Sequence, residues 1–392
     1  MSWQRLLEPE IKAFIDEHQD DDVSALALKK PPQQDWPYKL ILDQIKSRQK
    51  AQHKIPSWLK PGIVLPAPDV IEQCSSDATA AYKASLAQGD LFVDLTGGAG
   101  VDTCAFGKNF KRGICIERDE RTAQMLAHNL PLVSSTPIKV LQQNAEDFVA
   151  DMLAADFVFI DPQRRDSAQK GKYRLEDCSP NILSLLPNLK AERVLLKTSP
   201  MLDIDAGIEA LGCVESVHVV EWRGECKELL FMLQPGHKAV SSEVPINAIQ
   251  IDDEGFPVSG FSFTRADEDG AIVEYALPGQ FLYEPGPAFQ KAGGFGAMAE
   301  FYGLRKLHKH THLYTSDIKI DIFPGRAFKI FDMVGAGAKA LPVTKANLTL
   351  RNFPGTPDAL RKKLGLADGG DTTIFACTLM DERKALVLCQ KI

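Results

Sequence analysis

The sequence lacks the patterns that mark membrane, secreted and metal-bound proteins. No apolar run approaches the roughly 20 residues that a membrane-spanning helix needs, and the first residues, MSWQRLLEPE, do not form a signal-peptide pattern. Its eight cysteines include no C-x-x-C pair, which argues against a zinc site or a disulfide scaffold. We therefore expect a reduced, cytoplasmic protein with no metal site and no membrane partner.

The chain also lacks an overall positive charge, because its formal net charge is −7 at pH 7. That value alone argues against a generic nucleic-acid binder. The charge is unevenly distributed, however: residues 236–300 carry a net −7 and residues 301–392 a net +7. The C-terminal segment is therefore a basic module suited to a polyanion, or else a solvated surface with a chance excess of positive charge.

Length and hydrophobic pattern predict two or three domains, one of them α/β. Residues 89–235 alternate strand-like and helix-like segments, which is typical of parallel strands joined by right-handed crossovers. Only three residues separate the last two strands, so these predict a hairpin. The expected fold is a Rossmann-like sheet closed by an antiparallel terminal hairpin. The candidate strands are 91–95, 112–117, 138–141, 156–160, 192–197, 214–222 and 226–233.

The flanking segments differ in composition from this central part. Residues 1–88 form an N-terminal helical region, in which residues 71–90 read as one helix. Residues 236–320 predict a β-rich linking region with a strand-like piece at 272–277. Residues 321–392 predict a compact α+β unit in the order β-α-β-α-β-β, with its first helix at 333–340.

Within the α/β part, LFVDLTGGAGVD reads as a buried strand, a glycine turn and a helix start. A nucleotide-like cofactor binds at such a place, where glycine lets the backbone approach the ligand. The alternative is an ordinary strand-to-helix turn. The third glycine of G-x-G-x-x-G and the lysine of the Walker loop are both missing. The pattern D-x-T-x-G-x-G, from Asp94 to Gly100, instead resembles motif I of class I S-adenosylmethionine (SAM)-dependent methyltransferases.

Polar residues follow the next two candidate strands as well. Glu117 ends the second strand, where a carboxylate can accept both ribose hydroxyls; the alternative is a surface glutamate. Asn144 follows the third strand, where the family usually has an acidic residue near the adenine amino group. Its carbonyl oxygen can still accept that hydrogen bond, and Glu146 and Asp147 are possible substitutes.

The fourth strand ends in Asp161-Pro162-Gln163-Arg164-Arg165, at the position of the family's motif IV, beside the transferred methyl group. Enzymes that methylate exocyclic amines carry [DN]-P-P-[YF] there, so the stacking aromatic is absent and two arginines follow instead. Both arginines are candidate substrate-phosphate anchors, or else they pair with nearby carboxylates.

The fifth strand ends at Lys197, whose side chain faces the same crevice. There it is expected to bind a substrate phosphate or to lower a substrate pKa. The alternative is a lysine that extends its charged end into solvent along an apolar surface.

A more specific resemblance covers nearly the whole chain. The phrases QCSSDATAAYK, DPQRR, KTSPMLD, YEPGPAFQKAG and RNFPGTPDALRKKL resemble a bacterial group of class I methyltransferases with a ferredoxin-like piece and a C-terminal THUMP-like domain. THUMP domains elsewhere deliver RNA to a linked modifying domain. The cofactor residues that the resemblance implies, with the neighbours Arg118 and Ala145 included, are Asp94, Thr96, Gly97, Gly98, Gly100, Asp102, Glu117, Arg118, Asn144 and Ala145.

The resemblance implies SAM-dependent methylation of RNA, tRNA or rRNA, at a nucleobase positioned by Asp161 and Pro162 as the catalytic residues. The expected substrate-binding residues are Arg164, Arg165, Lys197, Arg351, Lys362 and Lys363. Two alternatives remain open: an RNA-binding or assembly factor with a vestigial methyltransferase fold, and a small-molecule methyltransferase.

Overall fold

The computed structural model describes residues 2–164, 173–337 and 341–392. The chain divides into two compact units. The first comprises residues up to 215, residues 229–238 and residues 251–257; the second comprises residues 216–228, 239–250 and 258–392.

The N-terminal helical region precedes the sheet, as the sequence predicts. Its helices are α1 (Pro9–Glu17), α2 (Val23–Ala27), α3 (Tyr38–Lys54), α4 (Pro68–Gln73) and α5 (Asp77–Ser85). The single helix predicted over residues 71–90 is wrong, because Ser76 starts a new helix at α5. The Ser76 hydroxyl accepts from the Thr79 amide, and the Thr79 side chain accepts from the Ser76 amide. This reciprocal cap stabilises a helix start where a continuous helix would have passed through.

Strands and helices then follow one another along the chain. The strands are β1 (Gly89–Asp94), β2 (Phe110–Glu117), β3 (Ile138–Gln142), β4 (Ala155–Ile160), β5 (Gln163–Arg164), β6 (Cys178–Ser179), β7 (Ala191–Thr198), β8 (Val214–Trp222) and β9 (Glu225–Leu233). The helices are α6 (Val101–Gly107), α7 (Glu120–Val133), α8 (Ala145–Asp151), α9 (Ile182–Leu185) and α10 (Ile204–Leu211). In this stretch the structure confirms the predicted strands to within two residues.

The sheet order places the hairpin where the sequence predicts it. Nine strands run in the order β11-β10-β8-β9-β7-β4-β1-β2-β3, with β10 (Ile246–Ile251) and β11 (Pro257–Phe263) at one end. The ladders β3-β2-β1-β4-β7 are parallel, whereas β9 pairs antiparallel with β7. The Rossmann-like sheet with an antiparallel terminal hairpin is thus confirmed, and the carboxyl ends of its parallel strands share one edge.

The N-terminal region packs onto α7. Asn129 of α7 accepts from the Val64 amide at 3.0 Å and donates to the Val64 carbonyl at 2.7 Å. Around this pair, Leu6, Ile41 and Ile45 form one buried cluster with Met125. The chain between α3 and α4 is thereby fixed beside the glycine turn.

The second unit contains the remaining elements. They are α11 (Arg265–Gly270), β12 (Phe281–Pro285), α12 (Pro287–Ala292), α13 (Phe295–Phe301), β13 (Arg305–His308), β14 (Thr311–Ser316), β15 (Gly325–Gly335), β16 (Lys345–Arg351), α14 (Pro357–Leu364), β17 (Ala367–Thr378) and β18 (Lys384–Lys391). A seven-stranded sheet has the order β13-β14-β12-β15-β18-β17-β16, and only β16 and β17 are parallel neighbours among the pairs described. The predicted C-terminal α+β domain is confirmed.

Two local predictions in this unit are wrong. The predicted helix at 333–340 is strand up to Gly335, since Met333 and Val334 pair antiparallel with Val387 and Leu386 of β18, and residues 338–340 lie outside the described part. The predicted strand at 272–277 is not formed; Tyr275 makes only an isolated bridge. Along the described chain, every helix is too short or too polar to cross a bilayer.

Candidate active site

The glycine turn between β1 and α6 is shaped by positive backbone angles and close packing. Gly98 has φ +51° and Gly100 has φ +84°, a region that side chains with a Cβ rarely adopt. A Cβ added at Gly100 would lie 2.5 Å from Leu126 Cδ2 and 3.0 Å from the Trp58 ring. Gly100 therefore leaves no room for any other residue, and the turn delivers the chain directly into α6.

The side chain of Asp94 stabilises this turn through two hydrogen bonds. One carboxylate oxygen accepts from the Thr96 amide at 2.9 Å, and the other accepts from the Thr103 hydroxyl at 2.5 Å. Burial raises the pKa of Asp94 to about 7, against the lowering effect of these two donors. Asp94 is absent from the described lining of the cavity above it. Its contacts therefore orient the turn, and a direct ligand contact stays a prediction.

A cavity of about 870 Å³ opens above the carboxyl ends of the parallel strands. Its size is within the usual range for small-molecule and cofactor sites. Except for Asp94, the predicted cofactor residues line it: Thr96, Gly97, Gly98, Gly100, Asp102, Glu117, Arg118, Asn144 and Ala145. So do Asp161, Pro162, Arg164 and Lys197 from the predicted catalytic and substrate sets. Arg165 lies outside the described residues.

Glu117, at the end of β2, connects the glycine turn to the following loop. Its two carboxylate oxygens accept from the amides of Gly98 and Asp119, both at 2.8 Å. The carboxylate is thus fixed at the cavity wall. Asn144, at the start of α8, donates to the Asp147 carboxylate at 3.2 Å, while Arg118 donates to the Ser179 hydroxyl at 3.4 Å.

Asp161 and Lys197 form an ion pair across the ends of β4 and β7, with Nζ 2.5 Å from Oδ2. The Asp161 amide also donates to the Thr96 hydroxyl at 2.8 Å, which ties this wall to the glycine turn. Burial raises the pKa of Asp161 above its ordinary value, and the charge of Lys197 acts in the opposite direction. Sequence reasoning placed both residues at one crevice but did not predict that they contact each other.

A second ion pair adjoins the cavity, and the sequence did not indicate it. The Lys83 ammonium, on α5, is fully buried and lies 3.2 Å from the Asp102 carboxylate. It also donates to the Ser75 hydroxyl at 2.9 Å, and that hydroxyl donates to Asp102 at 2.7 Å. Asp102 therefore lines the cavity while the buried Lys83 ammonium balances its negative charge. A lone lysine among the alanines of α5 was the available signal.

Two further groups of lining residues were missed. Tyr173 is one of them. Its isolation was an available signal, because it is the only Phe, Tyr or Trp between residues 160 and 222. The other is the N-terminal region, where Gln44, Leu65 and Pro66 line the cavity. Gln44 accepts from the Leu65 amide at 3.1 Å. The parallel strands and their helices alone do not provide this wall.

The remaining predicted substrate residues belong to the second unit. Arg351 lies 2.6 Å from the buried Glu284 carboxylate, which also pairs with Arg326. Lys362 and Lys363 are exposed in the last turn of α14. Throughout the described ranges, no cluster of three His, Cys, Asp or Glu side chains could hold a metal ion.

Comparison with known proteins identifies two domain types and a similar solved structure. One family model, a ferredoxin-like domain, matches residues 281–324, and another, THUMP domain-like, matches residues 325–391. A search of the curated proteins found no match. The crystal structure of a candidate methyltransferase from Porphyromonas gingivalis W83 has a TM-score of 0.89 and 30% sequence identity, over 100% of this chain and 99% of that chain.

The chain belongs to the family of this Porphyromonas protein. In this chain a class I methyltransferase sheet is joined to ferredoxin-like and THUMP-like parts, as the sequence resemblance predicts. Two other solved structures are more distant. TrmK from M. capricolum, in complex with S-adenosyl-homocysteine, is 12% identical over 40% of this chain and 67% of its own, with a TM-score of 0.31. A candidate RNA methyltransferase from Pyrococcus horikoshii is 14% identical over 57% of this chain and 100% of its own, with a TM-score of 0.30.

Proposed function

We propose that this protein is a SAM-dependent RNA methyltransferase that modifies a nucleobase positioned at Asp161 and Pro162. One observation carries the proposal: a single cavity contains both the glycine turn with Glu117 and the Asp161–Lys197 pair. A cofactor-binding wall and a polar reaction wall within one cavity are what a group-transfer enzyme needs.

The residues around the turn fit SAM. The backbone of Gly97 and Gly98 is open to the cavity, and Glu117 supplies carboxylate oxygens of the kind that accept ribose hydroxyls. Asp102 presents a negative charge suited to the α-amino group of the methionine part. Arg118, Asn144 and Ala145 would surround the adenine. We place Asp94 beneath these contacts, where it holds the turn.

When bound, SAM supplies an electrophilic methyl group on its sulfonium. On the protein side, Asp161 accepts a hydrogen bond from an N–H of the target base and so orients the nitrogen lone pair. Lys197 holds the carboxylate in place through the ion pair at 2.5 Å. Once the nitrogen has gained its methyl group, it loses a proton, and Asp161 or water receives it. Positioning supplies most of the rate enhancement in such a reaction.

Features of the second unit support the proposal that the substrate is an RNA, either tRNA or rRNA. Residues 325–391 match a THUMP-like domain, and residues 301–392 carry a net charge of +7. Lys362 and Lys363 are exposed there and suit phosphate contacts, whereas Arg351 is drawn toward Glu284. Arg164, which lines the cavity, would hold a substrate phosphate there, and Arg165 stays a candidate for the same role. Such a protein would work in the cytoplasm.

Isothermal titration with SAM tests the cofactor part of the proposal. We expect micromolar binding by the wild type and by Glu120→Ala, a control on the exposed start of α7. Glu117→Ala is expected to bind at least a hundredfold more weakly, with its melting temperature recorded to detect unfolding. Equal binding by Glu117→Ala would remove that residue from the site. No binding by the wild type would instead favour an RNA-binding or assembly factor.

Transfer of radiolabelled methyl groups to purified tRNA and rRNA fractions tests the substrate part. The fractions come from cells that lack the gene, so that the target positions are unmodified. Incorporation into one fraction supports the proposal. Binding of SAM without incorporation into any RNA would favour a small-molecule methyltransferase, because the cavity would then be functional and the RNA assignment wrong.

A further inference from the structure

The sequence next to Asp161 provides no aromatic residue on which a base could stack. Asp161 and Pro162 are followed by Gln163 and Arg164, so no aromatic ring is adjacent to them along the chain. Enzymes that act on a nucleobase commonly hold it between aromatic or apolar side chains, because a base removed from its stack needs a replacement surface. If the target is a base, another residue must provide that surface.

Tyr173 is the only aromatic residue in the described lining of the cavity. Residues 165–172, which lie outside the described part, contain no Phe, Tyr or Trp. The cavity is otherwise bordered by small, aliphatic, proline and polar side chains. Tyr173 is therefore the one aromatic ring among the described lining residues that could stack on a base.

The fold brings Tyr173 back to Asp161 through a two-stranded ladder. Strand β5, directly after Pro162, pairs antiparallel with β6, so that Gln163 lies opposite Ser179 and Arg164 opposite Cys178. The buried Leu175 anchors the chain between Tyr173 and β6. A residue 12 positions beyond Asp161 in the sequence thus lines the same cavity.

The hydroxyl of Tyr173 is already engaged by the protein. The Cys178 thiol of β6 donates to it at 3.4 Å. This contact ties the hydroxyl end of the side chain to β6. What a half-buried Tyr173 offers to a ligand is therefore its ring.

We propose that the Tyr173 ring is the platform on which the target nucleobase stacks, so that the base edge faces Asp161. This inference rests on the proposed function and adds the binding surface for the base, supplied from a downstream segment. A ring fixed at its hydroxyl end needs no reordering when the base arrives, which favours a defined geometry.

The test compares Tyr173→Phe with Tyr173→Leu in the full chain. Phenylalanine keeps the ring and loses the hydroxyl contacts, whereas leucine keeps apolar volume and loses the ring. We expect Tyr173→Phe to methylate the RNA fraction within about threefold of the wild-type kcat/KM. Tyr173→Leu is expected to lose roughly ten- to a hundredfold, the scale of one stacked base, with SAM affinity unchanged. Tyr275→Leu, at an exposed position in the second unit, is the matched control.

Equal losses in the phenylalanine and leucine variants would overturn the proposal, because they would show that only the hydroxyl contacts matter. Wild-type activity in Tyr173→Leu would overturn it as well. If the wild type methylates no RNA, the proposed function fails, and saturation-transfer NMR with AMP, GMP, CMP and UMP on the S-adenosyl-homocysteine-loaded protein decides this inference separately. A base signal that is lost only in Tyr173→Leu supports stacking; no base signal, or one that persists, contradicts it.

Discussion

The carboxylates on two walls of the same cavity differ in how far the protein's own groups already bind them. On the wall formed by the glycine turn, protein groups satisfy each acid: Glu117 by two backbone amides, and Asp102 by Lys83 and Ser75. On the wall formed by the ends of β4 and β7, the Asp161 side chain is 32% exposed, and Lys197 is its ion-pair partner. The first wall is thus built before a ligand arrives, whereas the second keeps a carboxylate available to one. The difference separates carboxylates that stabilise the shape of the cavity from a carboxylate that can contact a reacting ligand.

The largest expected effect is on the buried pair behind the turn. Lys83→Met leaves the Asp102 carboxylate buried without its counter-charge, and breaking such a pair costs about 3–5 kcal/mol of unfolding free energy. Urea unfolding measures this loss. The matched variant on the other wall, Lys197→Met, should lose less than about 1.5 kcal/mol, because Asp161 can still be hydrated. Similar losses in both variants would show that the two walls are equally rigid.

Replacement of the turn glycines should give the next largest effect. Gly100→Ala combines a positive φ with a Cβ placed against Leu126 and Trp58, so we expect a loss of about 2–3 kcal/mol. Gly98→Ala shares the positive φ, but its nearest neighbour is the Thr96 carbonyl oxygen at 3.8 Å. It should therefore lose only about 1 kcal/mol. Thermal unfolding of the two variants separates packing from backbone strain, and equal losses would rule out the packing term.

The Asp161 wall should respond in rate more than in stability. In Lys197→Met, the carboxylate loses the cation that orients it, and we expect kcat for RNA methylation to fall roughly ten- to thirtyfold. SAM affinity should stay within twofold of the wild type. An unchanged kcat would show that Lys197 neither orients Asp161 nor contacts the substrate. A loss confined to KM would indicate a phosphate contact.

The smallest effect concerns pH and the carboxylate beneath the turn. Asp94 has a folded-state pKa of about 7, well above that of an unfolded-chain aspartate, about 3.9. Between these values the folded state keeps a proton that the unfolded state has released, so this group lowers stability as pH rises and has no further effect above pH 7. Asp94→Asn removes this dependence. Relative to the wild type, its unfolding free energy should rise by about 1 kcal/mol from pH 5.5 to pH 6.5; parallel pH profiles would contradict the raised pKa.

The sequence predicted the parts of the site that are encoded locally. Asp94, Glu117 and Asp161 each stand at the end of an apolar strand. The alternation of strands and helices in the sequence predicts a parallel sheet, in which these strand ends lie at one edge. Lys83 and Tyr173 could not be placed in this way, because their partners come from other elements: Asp102 from α6 and Cys178 from β6. The strand at residues 333–335 was missed for the same reason, since its ladder partner β18 is 50 residues away in the sequence.

The contact of Trp58 with Gly100 has a consequence for how the chain can be divided. Trp58 lies in a short 3-10 turn of the N-terminal region, yet it occupies the space that a Cβ at residue 100 would need. A shortened chain starting at residue 89 would keep every strand of the sheet. It would also expose Met125, which packs in one cluster with the N-terminal residues, and lose the wall formed by Gln44, Leu65 and Pro66. The smallest fragment that can be expected to fold with an intact cavity therefore includes the N-terminal helices.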